Sequence, residues 1–209
     1  MADFYLASHS ARRRELLRQV GARFETLLLR VTPPRGPDIR EQPQPGEASV
    51  DFVLRVAREK AEQGVQALAS RSLLSRPVLS ADTVVVVDGE ILGKPQDAEQ
   101  AAQFLQRLSG RTHEVQTAVA LAVPSGRTSN IWTSLSTSRV TLRALDAGEI
   151  ARYCASGEPF GKAGGYAIQG HAAVFVDRIE GSYSGIVGLP LAETAQLLAA
   201  AGWPVWRGA

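Results

Sequence analysis

One cysteine in 209 residues excludes an intramolecular disulfide and a cysteine-built metal site. Histidine is nearly as scarce: His9, His113 and His171 stand at no ligand spacing from one another. A metal acting here is therefore expected to be a hard cation held by carboxylates and substrate oxygens, not a structural zinc. An excess of one charge is also missing. The 23 Lys+Arg against 21 Asp+Glu leave only +2, too little to announce a nucleic-acid partner. No apolar run approaches the roughly 20 residues that cross a bilayer. The first residues lack the basic, then apolar, then small order of a secretory leader. A cytoplasmic protein with neither a membrane nor a nucleic-acid partner is expected. What the chain does have is 44% hydrophobic residues, ample for a sizeable core.

Strand and helix patterns alternate along the chain, which predicts an α/β fold. Phe4-Tyr5-Leu6-Ala7 predicts a buried strand, and Ser8 or Ser10 then caps a helix that ends at Gly21. Pro33, Pro34, Pro37, Pro43 and Pro45 make the stretch from Thr32 to Glu47 a loop. Ser49 is read as the cap of a helix with Phe52, Val53, Val56 and Ala57 on one side and Lys60 close to that apolar face. Pro77 to Leu92 reads as a hairpin turning at Asp88-Gly89. Asp97 with Gln100, and Asp146 with Glu149, have the spacing of capping boxes. Val115 to Val123 and Ile131 to Leu142 read as strands joined near Pro124-Ser125-Gly126. A glycine-rich loop from Gly161 to Gly170 precedes an expected strand at Ala173 to Val176, and a last helix is expected over Glu193 to Ala201.

Asp82 is the chemical anomaly. It sits in Val78-Leu79-Ser80-Ala81-Asp82-Thr83-Val84-Val85-Val86-Val87, otherwise a strand buried on both faces. A lone buried carboxylate costs several kcal/mol unless it is protonated, paired or bound to a cation. It is either a structural group that caps a turn or pairs with an arginine, or a metal ligand or general base. Ser8 to Arg14 forms a strand-turn-helix entry whose free backbone N–H groups suit an anion. Arg12-Arg13-Arg14 there oppose the helix dipole, which a bound phosphate chain would offset. Arg12 and Arg13 are nearer the helix start than Arg14 and are preferred as ligands. Lys60, Lys94 and Lys162 occupy unusual settings, the last inside the glycine-rich loop. That loop has neither the Walker A spacing nor the helix-opening position of a dinucleotide fingerprint. No Ser-His-Asp or Cys-His set is apparent. The combination suits metal-assisted attack of water on a phosphoanhydride.

The segments Leu6-Ala7-Ser8-His9-Ser10-Ala11-Arg12-Arg13, Ala81-Asp82-Thr83-Val84, Gly93-Lys94-Pro95, Leu108-Ser109-Gly110 with His113, Lys162 to Gly170, and Gly188-Leu189-Pro190-Leu191 resemble the Maf family of nucleoside triphosphate pyrophosphatases, in that family's order. The resemblance implies a two-lobed α/β fold around a central mixed sheet, inosine triphosphatase-like (Maf/Ham1), with one such domain over 1–209. It implies hydrolysis of a nucleoside triphosphate to monophosphate and pyrophosphate with Mg²⁺ or Mn²⁺, and a homodimer. By motif, Asp82 is the expected catalytic base and metal ligand. Arg12, Thr83 and Gln169 fall at positions that select the nucleotide. Ser8, Arg13, Lys60, Lys94 and Lys162 fall along the phosphate path. Thr83 and Ile168-Gln169-Gly170 are similar to the subgroup acting on dTTP and UTP. Three departures stand out: Ala11 for proline, Gly161 for aspartate, and Val31-Thr32-Pro33-Pro34 where acidic residues are common. A metal ligand or water-orienting carboxylate is then either missing or supplied by Asp38, Glu41 or a residue elsewhere. The alternative reading is a non-catalytic nucleotide-binding or division-regulating module.

Overall fold

The computed structural model describes residues 2–29, 39–126 and 128–206. Val31 to Pro34 and Asp38 lie outside the described residues. In chain order the elements are β1 (Phe4–Leu6), α1 (Ala11–Gln19), β2 (Phe24–Thr26), α2 (Ser49–Ser70), β3 (Val78–Val87), β4 (Glu90–Leu92), α3 (Ala98–Leu108), β5 (Thr112–Ser125), β6 (Thr128–Leu142) and α4 (Ala147–Ala155). Two 3₁₀ turns, Ala163–Gly165 and His171–Phe175, lead to β7 (Val176–Glu180), α5 (Tyr183–Val187) and α6 (Leu191–Ala200). The strands form a mixed sheet in the order β2-β1-β3-β5-β6-β7, with β4 paired to β3. β1 runs parallel to β2 and to β3, while β3–β4 and β6–β7 are antiparallel. No described helix is long and apolar enough to cross a membrane.

The chain divides into two compact units. The first comprises Met1–Asp82, Thr117–Leu135 and Gly188–Ala209. Its helix α2 buries Phe52, Val53, Val56, Ala57, Ala61, Gly64, Ala67 and Leu68, a stripe at three- and four-residue spacing. Tyr5, Ala7, Leu27, Leu29, Ala67, Leu68 and Val78 pack as one cluster of this unit. At Gly64 a Cβ would lie 2.5 Å from the Val78 side chain, so glycine is what allows α2 to approach β3 so closely.

The second unit comprises Thr83–Gln116 and Ser136–Val187. Asp97 caps α3 by accepting from the Gln100 N–H at 2.8 Å. The Gln100 side chain, however, accepts from the Gln96 N–H and not from the cap residue. Asp146 and Glu149 do form the full capping box that opens α4. Asp88 (φ 54°) and Gly89 (φ 76°) take the left-handed pair that a two-residue hairpin turn requires.

Some expected elements are corrected. Ala48, not Ser49, is the N-cap residue of α2, and it makes no side-chain cap bond. The expected strand at Ala173 to Val176 is instead the 3₁₀ turn His171–Phe175 followed by β7. The reason is periodicity: Ala172 and Phe175, three apart, are buried, while Val174 between them is 69% exposed.

Candidate active site

In the first unit, β3 and α2 bring the central charges together. The Ser80 hydroxyl donates to the Ala57 carbonyl at 2.6 Å, fixing the helix to the strand. Two residues further along the same strand face stands Asp82, and about one helical turn beyond Ala57 stands Lys60. Lys60 Nζ accordingly donates to Asp82 Oδ1 at 2.8 Å, with both side chains only 11% exposed. The same ammonium lies 2.6 Å from Glu41 Oε1. Glu41 is presented by its neighbours: Arg55 of α2 donates to the Gln42 carbonyl and to both carboxylate oxygens of Glu47. These hydrogen bonds from Arg55 bring the Glu47 carboxyl down to about 2.

The entry to α1 completes this group. Ser10 caps the helix by accepting from the Arg13 N–H, and Ser8 Oγ accepts from the Ser10 N–H. Arg13 Nε donates to the Gly188 carbonyl at 2.7 Å, and Nη1 reaches Ser8 Oγ at 3.4 Å. Desolvation pulls the Arg13 guanidinium below the usual arginine value, Asp82 and Glu41 oppose that shift, and Arg12 adds to it. Arg13 therefore feels both carboxylates of the Lys60 cluster. Arg14 donates to the His9 carbonyl at 3.2 Å on the exposed side. Ala11 is the first residue of α1, where alanine is well tolerated.

Asp82 is thus bonded to an ammonium, with the Arg13 guanidinium also in its field. Glu41, one of the candidate carboxylates, meets the ammonium that is bonded to Asp82. No group of three or more His, Cys, Asp or Glu side chains suited to a metal occurs among the described residues. Asp82 and Glu41 nevertheless converge on one point that a cationic group already occupies. Two carboxylates with the remaining positions left to phosphate oxygens and water is a donor set that fits Mg²⁺ or Mn²⁺.

The second unit holds the remaining candidates. Thr83 continues β3 directly after Asp82, and Lys94 follows β4. The Gly164 N–H donates to the Gly93 carbonyl at 3.0 Å, which sets Gly93-Lys94-Pro95 beside the glycine-rich loop. Lys162 Nζ donates to the Glu158 and Phe160 carbonyls. Gly161 (φ 72°) takes a left-handed conformation that its replacement of aspartate leaves unstrained. Gln169 is exposed, directly after the buried run Tyr166-Ala167-Ile168.

His113 supports the loop from below. One ring nitrogen, Nε2, shares a 2.7 Å hydrogen bond with the Tyr166 hydroxyl; the other, Nδ1, is buried without a partner among the described residues. A doubly protonated ring would need an acceptor at Nδ1 that is not there. Burial accordingly brings His113 from 6.5 down to about 4. As pH falls, the unfolded chain takes up this proton first, so stability is lost from about 6.5 and levels off below about 4. The expected loss is about 3 kcal/mol, read as the change in urea unfolding free energy between neutral pH and pH ~4. A His113→Asn variant that kept the same slope across that range would refute the assignment.

A family model described as "Maf-like protein" matches residues 3–201. A Bordetella parapertussis protein named "dTTP/UTP pyrophosphatase" is 54% identical over 198 residues, covering 95% of this chain and 92% of its own length. Proteins of the same name from Aromatoleum aromaticum (52% identity; 98% of each chain) and Nitrosomonas europaea (52%; 97% of this chain, 96% of that one) are similarly close. Among solved structures, the Ham1 protein of Staphylococcus aureus aligns with a TM-score of 0.41 at 13% identity, over 66% of this chain and 71% of that chain. With the family model spanning nearly the whole length and relatives above half identity, the chain belongs to the Maf family.

Proposed function

We propose that this chain is a nucleoside triphosphate pyrophosphatase that hydrolyses dTTP and UTP to the monophosphate and pyrophosphate. The observation that carries the reading is the convergence of Asp82 and Glu41 on the Lys60 ammonium, with Arg13 in their field. Two carboxylates and adjoining cations in one place suit a polyanionic substrate and its hydrolysis. The names of the Bordetella, Aromatoleum and Nitrosomonas relatives support the same activity and base preference.

In this reading Asp82 accepts a proton from water as the water oxygen bonds to the α-phosphorus. The bridging P–O bond to the β-phosphate breaks, and pyrophosphate departs with the electron pair. A divalent cation held by Asp82 and Glu41 would neutralise phosphate charge when bound. Ser8, Arg13 and Lys60 hold the phosphate chain, and Lys94 and Lys162 offset the charge of the leaving group. Arg12, Thr83 and Gln169 select the nucleotide. The Gln169 amide can both donate to and accept from a pyrimidine edge.

The test is pyrophosphate release by the purified chain with dTTP, UTP, CTP and GTP in Mg²⁺ or Mn²⁺. Release from dTTP and UTP at least ~10-fold faster than from GTP is expected. Binding of the nucleotides with no release under any cation would establish the non-catalytic binding module instead.

A further inference from the structure

The glycine-rich loop is clamped by one carboxylate. Glu158 lies just beyond α4, and its side chain is 17% exposed. Its Oε1 accepts from the His171 N–H at 3.0 Å and its Oε2 from the Ala172 N–H at 3.3 Å. The Tyr153 hydroxyl oxygen accepts from the Ala167 N–H at 3.2 Å, and burial, with Glu158 adding to it, pushes that hydroxyl's pKa up. The carboxylate therefore grips the chain at 171 and 172, directly after Ile168-Gln169-Gly170, while the Tyr153 hydroxyl holds it at 167 on the other side. The main-chain carbonyl of Glu158 accepts from Lys162 Nζ at the loop's other end.

Gly170 reports how close this grip is. A Cβ there would fall 2.1 Å from Glu158 Oε1 and 2.8 Å from Oε2. The backbone at Gly170 (φ −110°, ψ −148°) lies outside the left-handed region. The glycine is thus required by the carboxylate's proximity and not by a left-handed turn. Exposed Gln169 makes no contribution to the core that would fix it; its backbone is held by these hydrogen bonds together with the turn bond from the Gly170 N–H to the Ala167 carbonyl at 3.0 Å.

We infer that Glu158 is a positioning residue for nucleotide selection, holding the Gln169 backbone where its amide meets the base. The inference rests on the reading that Gln169 selects the nucleotide. It adds a residue that touches neither base nor phosphate. A side chain displaced by even an ångström loses much of its discrimination, so releasing the clamp alters selection before it alters chemistry.

Gly170→Ala is the sharpest variant. The group its methyl displaces is the free end of a flexible side chain, so the fold is kept while the carboxylate is pushed off its donors. Glu158→Gln removes the charge, and Tyr153→Phe removes the hydroxyl that holds the Ala167 N–H. KM and kcat are measured for UTP and GTP on each, beside Gln169→Ala. In Gly170→Ala and Glu158→Gln, the UTP-over-GTP ratio of kcat/KM is expected to fall about tenfold through KM, with kcat for UTP within about threefold of the parent. Tyr153→Phe should show a smaller shift in the same direction. A uniform fall in kcat for both nucleotides, with the ratio unchanged, would make Glu158 a structural support only and overturn the inference. If Gln169→Ala lowers the ratio while Gly170→Ala and Glu158→Gln keep it, the inference fails and the reading of Gln169 stands. If Gln169→Ala itself keeps the ratio, the reading of Gln169 fails and the inference falls with it.

Discussion

Asp82→Asn is expected to lower turnover of dTTP and UTP by about 10²–10⁴-fold, the range for loss of a positioned general base. The amide keeps the volume and one acceptor oxygen, so packing in β3 is undisturbed. It no longer takes a proton and is a poor ligand for a hard cation. The fold should survive for a reason visible in the ion network. Lys60 bonds to both Asp82 and Glu41, and neutralising Asp82 leaves the ammonium with its Glu41 partner. No buried cation is stranded. The measurement is kcat for dTTP with saturating Mg²⁺, paired with a thermal unfolding curve. Turnover within threefold of the parent, in a folded variant, would remove Asp82 from the base role and return it to a purely structural ion pair.

Much of this site could be read in the sequence because its residues violate local expectations. Asp82 interrupts a run of Val, Leu and Ala that buries nearly every other side chain of β3. Ser10, Asp146 and the Asp88-Gly89 turn are short-range signals, and each is used as its chemistry dictates. What stayed hidden depends on partners far away in sequence. β2 has three residues and no periodicity of its own; it exists through parallel pairing with β1. α5 has five residues, too few to show a helical period. Glu41 is a candidate in the sequence, but its contact with Lys60 shows only in the structure, where Arg55 of the following helix grips Gln42 and Glu47. The importance of Glu158 appears only when the N–H groups of residues 171 and 172 come round to it. One signal was present but ambiguous: in the sequence Gly170 is one more glycine of the loop, whereas in the structure its lack of a Cβ makes room for a carboxylate.

Lys60→Met should have the opposite balance from Asp82→Asn: a large loss of stability together with loss of activity. Methionine has a similar length and helix propensity, so α2 itself is little affected. The cost is electrostatic. Asp82 loses the cation to which it is bonded while its side chain stays 11% exposed. Removing one partner of a buried pair typically costs about 3–5 kcal/mol, because the remaining charge is desolvated without compensation. Glu41, with a side chain 38% exposed, can turn to water and contributes little to this penalty. Arg13 already lies in the field of Asp82 and softens the loss, which places the expected value near the lower end, about 3 kcal/mol by urea unfolding at neutral pH. The double variant Lys60→Met with Asp82→Asn separates charge from packing. With no carboxylate left to strand, it should be more stable than Lys60→Met alone even though it carries one more substitution. Equal or lower stability of the double variant would mean that Lys60 stabilises this unit through the packing of its aliphatic stem, and that the Asp82 carboxylate finds its compensation elsewhere.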